Sequence, residues 1–309
     1  MAVITTDLAI IGAGAAGLSA AAAAAAQGLQ VLVIERMGAG GQVMNVENIA
    51  NFPGHPEGIS GFELGPLLQE QAEEAGAQFL LDTVQAVQAN GDGLRLQCEG
   101  EMVQARALIV AVGSARRMLG EPGEEQLEGR GVSHCASCDG PLFRKLPVCV
   151  VGGGDSAFGE AAVLATHASQ VTIVFRGAQP HAQPGLLAAV ATLPNVTLVP
   201  DADVVAVEGG ENVSALRTRA ADGTERSIAC EGVFVYAGLR ADAGFLADLV
   251  ERDGDGRIRT DDQYRSSVPG VFAAGDIRAG AAYLLAAAAD EGVAAARAAV
   301  HYLNEKRQA

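Results

Sequence analysis

The sequence predicts a two-domain α/β protein whose strands are mainly parallel. Short apolar runs alternate with helical patterns along the chain, which is typical of repeated β–α–β units. A glycine cluster that opens at Gly12, between a predicted strand and a predicted helix, recurs at Gly152 in the same setting. With 309 residues, the chain has the length of two domains of roughly 150 residues each. We therefore expect two Rossmann-like domains.

The predicted elements follow the apolar spacing. In the first domain we expect strands over 7–11, 30–34, 94–98, 102–105 and 107–112 and helices over 15–27 and 64–75. In the second we expect strands over 148–151, 171–175, 196–199, 213–218, 227–229 and 233–236 and helices over 156–166 and 183–193. A last strand over 271–274 and an alanine-rich helix over 281–303 are too short to fold alone. They are expected to pack against the first domain.

The predicted domain boundaries lie near 113–116 and 238–241, where glycine-containing connections leave predicted strands. The first dinucleotide-binding domain is then discontinuous and comprises residues 1–115 and 241–309. Residues 116–240 form an NAD(P)-binding-like domain that is inserted into the first and carries a pair of cysteines.

The charge balance excludes several kinds of partner. Acidic residues outnumber basic ones by 37 to 21, which gives a formal net charge of −16, so nucleic acid or an anionic membrane would repel the protein. Five cysteines are too few for a secreted disulfide framework. The uncharged stretch 8–26 follows no Lys or Arg and is rich in Gly and Ala, unlike a signal peptide or a membrane span. We expect a cytoplasmic protein.

The first glycine motif has the sequence Gly-Ala-Gly-Ala-Ala-Gly over residues 12–17. Glycines at this spacing allow a tight turn and let the backbone approach a pyrophosphate, which rests on the positive end of the following helix. Glu35 ends the next strand, where a carboxylate can hold a ribose hydroxyl pair. The alternative is an ordinary glycine-rich turn, but strand, helix and acid together favour a dinucleotide site.

The second glycine motif, Gly-Gly-Gly-Asp-Ser-Ala over residues 152–157, is the same device with Ala at its last position. Its second strand ends in Phe175-Arg176 without an acid. An arginine there can contact a 2′-phosphate, so NADP fits better than NAD. The alternative is a degenerate site that keeps its glycines for packing.

Cys135 and Cys138 stand in a Cys-Ala-Ser-Cys-Asp run just before the second glycine motif. Two cysteines at this spacing can form a small disulfide and reopen to a reactive thiolate. Zinc is disfavoured and no metal is expected, because there is no second C-x-x-C and the five histidines form no ligand-spaced pair. The remaining cysteines lie in or near apolar runs and are interpreted as core residues: Cys98, Cys149 and Cys230.

These motifs together resemble the low-molecular-weight thioredoxin reductases, homodimeric FAD enzymes with an inserted NADPH domain. The resemblance covers nearly the whole chain and is carried by residues 11–17, 40–42, 51–54, 131–140, 152–157 and 270–276. It implies a thioredoxin-fold protein as the disulfide substrate.

The family's site residues carry over by position. The resemblance implies that FAD is bound by Gly12, Gly14, Ala15, Ala16, Gly17, Glu35, Arg36, Gly41, Gln42, Asn51, Val84, Gly113, Gly275, Asp276, Ile277, Tyr283 and Leu284. It implies an NADP-like site at Gly152, Gly154, Asp155, Ser156, Ala157 and Arg176. Within the cysteine run, Cys138 would face the flavin, Cys135 would attack the partner disulfide and Asp139 would act as the proton-transfer acid.

Two departures from the family pattern concern the electron donor and the flavin edge. The family's 2′-phosphate motif is His-Arg-Arg with a further Arg four residues on, whereas residues 175–181 here read Phe-Arg-Gly-Ala-Gln-Pro-His. Only Arg176 survives, which predicts that NADPH is a poor donor; a ferredoxin or a second flavin is the alternative. Tyr283-Leu284 replace the family's Arg-Gln pair, which brings an aromatic side chain close to the flavin ring.

The sequence is compatible with two functions. The first is a disulfide reductase that passes electrons from FAD to Cys135–Cys138 and on to a protein disulfide. The second is a flavin-binding redox sensor without turnover. The acid that follows the cysteine pair, Asp139, favours the enzyme, because a sensor has no need of a proton donor at that place.

Overall fold

The computed structural model describes residues 3–91 and 93–308. Its strands are β1 (Val3–Ile11), β2 (Val31–Glu35), β3 (Gln78–Leu81), β4 (Val84–Asn90), β5 (Gly93–Cys98), β6 (Met102–Val110), β7 (Ser114–Arg116), β8 (Val132–Ser133), β9 (Pro147–Val151), β10 (Gln170–Val174), β11 (Val196–Val199), β12 (Ala202–Gly209), β13 (Val213–Ala220), β14 (Glu225–Ala229), β15 (Gly232–Val235), β16 (Leu239–Ala241) and β17 (Val271–Ala273). Its helices are α1 (Ala15–Ala25), α2 (Gly61–Glu74), α3 (Ala136–Asp139), α4 (Asp155–Ala165), α5 (Pro184–Ala191) and α6 (Leu285–Gln308). No helix in this described part of the chain is long and apolar enough to span a membrane.

The chain divides into two compact units. The first is built from the segment that ends at Ala115 together with the segment from Arg240 onward, and the second is Arg116–Leu239. Both contain parallel sheets, so the predicted α/β class is confirmed.

The first unit is built on a sheet in which β3, β2, β1 and β6 run parallel in that order. β5 and β4 extend it as an antiparallel hairpin, and β17 pairs in parallel with the end of β6. α1 and α6 pack together against one face of this sheet through small side chains. A Cβ on Gly292 of α6 would overlap the carbonyl oxygen of Ala16, so glycine is required for this close approach.

β6 corrects one prediction, because a single strand over Met102–Val110 replaces the two strands expected over 102–105 and 107–112. Its first half pairs with β5 and its second half with β17, while β1 pairs along both halves. Arg106 interrupts the apolar pattern at the change of partner, and its guanidinium Nη1 is 2.8 Å from Asp7 Oδ1. The ion pair lets a charged residue lie within a continuous strand.

The last helix also differs from its prediction, since it begins at Leu285 and not at residue 281. Tyr283 has a φ of +54°, which an α-helix cannot contain. The helix therefore starts only after this residue.

Within the described residues, six strands escaped prediction: β3, β4, β7, β8, β12 and β16. The two longest of them, β4 and β12, have irregular patterns. β4 has three polar residues among its seven, and only Val87 in it is buried. β12 has register shifts against β13 between Val204 and Ala206 and between Glu208 and Gly209. Such bulges disrupt the two-residue alternation by which a strand is recognised.

The second unit contains a parallel sheet in the order β11, β10, β9, β15, β8 and an antiparallel sheet of β12, β13 and β14. α4 follows β9 directly and buries Phe158, Ala161 and Leu164 against the parallel sheet. The second glycine motif therefore lies at the carboxyl end of β9, as the first does at the end of β1. This is the edge where open α/β sheets bind ligands.

Candidate nucleotide and disulfide sites

The first glycine turn combines two glycines that the fold requires with one that leaves space. Gly12 has a φ of +102°, and a Cβ on it would overlap the carbonyl oxygen of Ala111. A Cβ on Gly17 would overlap the carbonyl oxygen of Gly12. Gly14 is the N-cap of α1, and no atom lies within 4 Å of the position its Cβ would take. The amino end of α1 is thus open to an anionic group.

Glu35 is held in place at the end of β2 by two backbone donors. Its Oε2 accepts a hydrogen bond from Ala13 N at 2.8 Å, and its Oε1 accepts one from Met37 N at 2.9 Å. Each carboxylate oxygen keeps a further lone pair, so the group can still accept from a ribose. Arg36 points away to an exposed ion pair with Asp242 at 4.0 Å.

A second polar cluster lies where Gln42, Ser114 and Asp276 meet. Gln42 Nε2 donates to the carbonyl oxygen of Ser114 at 2.7 Å and to its Oγ at 2.8 Å. Ser114 Oγ in turn donates to Asp276 Oδ2 at 3.3 Å. The structure therefore brings together Gln42 and Asp276, which are 234 residues apart in sequence.

Burial raises the pKa of Asp276; the hydrogen bond from Ser114 opposes this effect, and the nearby charge of Glu291 adds to it. The oxygens of this carboxylate keep lone pairs that can accept from a ligand hydroxyl. Glu291 is buried in α6, and its Oε2 accepts from Gly275 N at 2.8 Å. Its Oε1 is 2.6 Å from Arg278 Nη2. The turn that carries Asp276 is thus anchored by an acid that the sequence motifs did not identify; the acidic pair Asp290-Glu291 within an alanine-rich helix is the signal.

The other predicted flavin contacts are less closely joined. Asn51 is exposed and Val84 is half-buried in β4. Gly41 lies close to the first turn, since a Cβ on it would be 3.2 Å from Gly14 Cα. Tyr283 and Leu284 are exposed, and the Arg257 guanidinium lies over the Tyr283 ring, 5.6 Å from its centre. The remaining predicted positions lie on the turns described above or beside them: Ala15, Ala16, Gly113, Gly275 and Ile277.

The second glycine turn is covered by the segment that follows β10. His181 N donates to the carbonyl oxygen of Gly153 at 2.8 Å, and His181 Nε2 lies 3.1 Å from the position of a Cβ on Gly154. The Asp155 carboxylate accepts from Gln183 N at 2.7 Å and from Gln183 Nε2 at 2.6 Å. The imidazole thus lies beside the amino end of α4, where a pyrophosphate would rest. Ser156 is exposed and Ala157 is buried against the turn.

Arg176 already has an acidic neighbour. Its Nε lies 3.3 Å from Asp203 Oδ1, and the two side chains are 79% and 66% exposed. Such an exposed pair adds little stability, but it places a negative charge where a phosphate would have to approach. The sequence pattern could not predict Asp203 as a neighbour, because it reaches Arg176 only through the fold.

The predicted cysteine pair is joined in the second unit as a Cys135–Cys138 disulfide with a Cα–Cα distance of 5.3 Å. Cys135 is the N-cap of the single-turn helix α3, and its Sγ accepts from Cys138 N at 3.2 Å. Asp139 Oδ2 accepts from Ser133 Oγ at 2.6 Å, and Ser133 Oγ accepts from Cys135 N at 3.2 Å. A hydroxyl therefore links the acid to the backbone of the first cysteine.

The other three cysteines are buried free thiols. Burial raises the pKa of the Cys98 thiol to about 11, and nearby acids add to the effect, which makes it a poor nucleophile. Over residues 3–91 and 93–308, no group of three or more His, Cys, Asp or Glu side chains is arranged to hold a metal ion.

Comparison with known proteins identifies the family. A family described as pyridine nucleotide-disulphide oxidoreductase matches residues 6–300. The thioredoxin reductase of Treponema pallidum is 38% identical over 299 residues, which are 96% of this chain and 97% of that protein. The chain belongs to the thioredoxin reductase family. The thioredoxin reductase of Listeria monocytogenes is 35% identical over 98% of this chain and 95% of its own length.

Solved structures of the thioredoxin reductase family agree with this assignment. The crystal structure of Lactococcus lactis thioredoxin reductase matches with a TM-score of 0.94 and 34% identity, over 97% of this chain and 99% of that one. The structure from T. acidophilum matches with a TM-score of 0.90 and 30% identity, over 98% and 99%. The prediction of two Rossmann-like domains and of a flavoprotein disulfide oxidoreductase is thereby confirmed.

Proposed function

We propose that this protein passes electrons from bound FAD to the Cys135–Cys138 disulfide and then to a disulfide of a thioredoxin-fold protein. The observation that carries the proposal is the disulfide itself, formed across one turn of helix with Asp139 beside it. The printed names of the relatives support thioredoxin as the kind of substrate. On the family resemblance alone we also propose a homodimer in the cytoplasm.

The residues of the first unit fit FAD. Gly14 leaves the start of α1 open for a pyrophosphate, Glu35 keeps lone pairs for a ribose, and the half-buried Asp276 can accept from a hydroxyl of the chain between them. When bound, FAD supplies two-electron transfer to and from a disulfide. The protein's part is to hold it, and the anchored turn at Gly275 keeps the Asp276 carboxyl in position.

The cysteine chemistry follows from the local contacts. Reduction of the disulfide takes two electrons and two protons and yields two thiols. Asp139 holds or moves one of these protons, and the Ser133 hydroxyl, 2.6 Å away, orients its carboxylate. The Cys135 thiolate then attacks a sulfur of the partner disulfide to form a mixed disulfide, which Cys138 resolves as the second partner thiol leaves.

The decisive experiment mixes purified protein, dithionite and oxidised thioredoxin without oxygen and counts thioredoxin thiols. Release over many turnovers is expected. If no thiol appears, the enzyme proposal fails and a flavin-binding redox sensor remains.

The first prediction concerns flavin binding through Gly14. The purified protein should be yellow, and Gly14→Val should lose FAD while it keeps its fold, because the added side chain enters the ligand's space and meets no protein atom within 4 Å at Cβ. Absorbance at the flavin bands and far-UV circular dichroism check the two statements. Gly244→Val, at an exposed position with equal free space, is the matched control and should stay yellow. A colourless wild-type preparation that gains no flavin spectrum with added FAD would contradict the proposal.

The second prediction concerns proton transfer by Asp139. Asp139→Asn should slow dithiol formation by roughly two to four powers of ten and leave FAD bound, since it removes an acid and little volume. Stopped-flow absorbance of the flavin under anaerobic conditions measures the rate. A rate equal to that of the unmodified protein would exclude Asp139 as the acid.

A further inference from the structure

Two polar side chains that take no part in the proposed reaction, Glu160 and Tyr236, lie at the start of α3, the helix of the cysteine pair. Ala136 N, the first amide of α3, is 3.1 Å from Glu160 Oε2 and 3.1 Å from the Tyr236 hydroxyl oxygen. The Tyr236 hydroxyl donates to the same Glu160 oxygen at 3.3 Å. Glu160 comes from α4 and Tyr236 follows β15, so two separate elements converge on the residue next to Cys135.

The cluster is half-buried, and this makes its charge effective. Burial raises the pKa of Tyr236, and the Glu160 charge adds to the effect. The phenol therefore stays protonated and keeps donating to the carboxylate. The Glu160 carboxylate is bonded to the amide of Ala136, the residue next to Cys135. In this partly desolvated place its negative charge disfavours a second negative charge on the Cys135 sulfur.

We propose that Glu160 is a positioning residue for the disulfide exchange: its carboxylate holds the start of α3 through Ala136 N and sets the pH at which the Cys135 thiol becomes a thiolate. This role rests on the proposed dithiol function of Cys135. In the reduced protein it lowers the fraction of Cys135 that is thiolate at a given pH, so fewer thiolates are open to stray oxidants.

Other charged groups also face this helix. Asp139 lies on α3 itself and is bonded to Ser133. His134 Nε2 is 3.2 Å from Glu128 Oε2 and its Nδ1 is 3.3 Å from the carbonyl oxygen of Val235. The Arg116 charge acts on Tyr236, and the His167 ring lies beside Gly140. These groups are the same in every variant compared below, so a difference between the variants reports the substituted residue.

The test uses the full chain in a Cys138→Ser background, in which Cys135 is the one cysteine outside the buried thiols Cys98, Cys149 and Cys230. The rate of alkylation of Cys135 by iodoacetamide is followed from pH 7.5 to 10.5, with peptide mass spectrometry to confirm the modified residue. Adding Glu160→Gln should lower the midpoint of the profile by about one pH unit. The rate at pH 7.5 should then rise by roughly five- to tenfold, while the plateau at high pH stays the same.

Two further variants distinguish an effect of the Glu160 charge from a general effect of substitution. Tyr236→Phe removes the hydroxyl but keeps the carboxylate, so its midpoint should move by less than a third as much. Glu225→Gln removes an equal charge on β14, from an exposed pair with Arg219 of β13, and should leave the profile unchanged. An unchanged midpoint with Glu160→Gln, or an equal shift with either of the other two variants, would overturn the proposal. Thioredoxin turnover of the otherwise unmodified protein is measured separately, so failure of the proposed enzyme is distinguishable from failure of the role of Glu160.

Discussion

Cys138→Ser should abolish thioredoxin reduction while FAD stays bound. The loss is expected to be about three powers of ten or more, because without the second sulfur the pair can neither store two electrons as a dithiol nor resolve a mixed disulfide. Cys135→Ser should lose turnover equally. It should also leave the Cys138 thiolate beside the flavin, where a thiolate next to oxidised flavin produces a long-wavelength absorbance band.

The absorbance spectra of the two variants decide the order of the cysteines. A band with Cys135→Ser and none with Cys138→Ser supports Cys138 as the sulfur that faces the flavin. The reverse result would show that the order is the opposite one. Cys98→Ser, which changes a buried thiol of the first unit, is the matched control and should keep both turnover and the ordinary flavin spectrum. Thioredoxin thiol release by Cys138→Ser at the unmodified rate would contradict the dithiol mechanism itself.

The local parts of these sites are visible in the sequence because glycine requirements are local. The strand–glycine–helix context at Gly12 and Gly152 predicts two turns, and the structure places positive φ angles at both. The close cysteine spacing likewise predicts a disulfide that one turn of helix can close. In each case the residues that matter lie within a few positions of one another, so their spacing carries the geometry.

Contacts between distant segments are not visible in the same way. Glu291 anchors the turn of Asp276 from α6, and Glu160 and Tyr236 reach Ala136 from elements 24 and 100 residues away in sequence. No periodic pattern marks these side chains, and nothing within a few positions of any of them indicates its distant partner. His181 covers the second glycine turn because residues 176–183 fold back over it. Hydrogen bonds from Gln183 to the Asp155 carboxylate hold this segment in place.

NADPH should be a weak electron donor to this protein. A 2′-phosphate carries close to two negative charges, and each well-placed arginine contributes roughly 1.5–3 kcal/mol to its binding. The family pattern has three arginines and this chain keeps Arg176, so affinity should fall by roughly two to four powers of ten. Asp203, 3.3 Å from Arg176, competes with the phosphate for the one arginine that remains. The net charge of −16 gives no long-range help.

The other candidate donors, NADH, a second flavin and ferredoxins, also lack favourable contacts with this protein. NADH lacks the phosphate, but Phe175-Arg176 offers its ribose no carboxylate after β10. His181 lies beside the amino end of α4 and must move before any pyrophosphate, whether of NADH or of a second flavin, can rest there. A reduced ferredoxin does not need the nucleotide site at the second glycine turn. An acidic ferredoxin would, however, be repelled by this acidic protein.

Bleaching of the flavin without oxygen discriminates among these donors when NADPH, NADH and reduced ferredoxin are supplied in parallel. Rapid bleaching by micromolar NADPH would contradict the expectation and make Arg176 a sufficient phosphate anchor.

Gly177→Arg combined with His181→Arg restores the family's arginines and removes the imidazole from the second turn. Rates with NADPH should then rise by roughly ten- to a thousandfold, since two charge-assisted contacts return. Rates with NADH, which has no 2′-phosphate, should rise far less, and Gly177→Ala should change neither. An equal gain for both nucleotides would mean that the obstacle was the imidazole at the pyrophosphate position rather than the missing arginines, because only the pyrophosphate is common to the two donors.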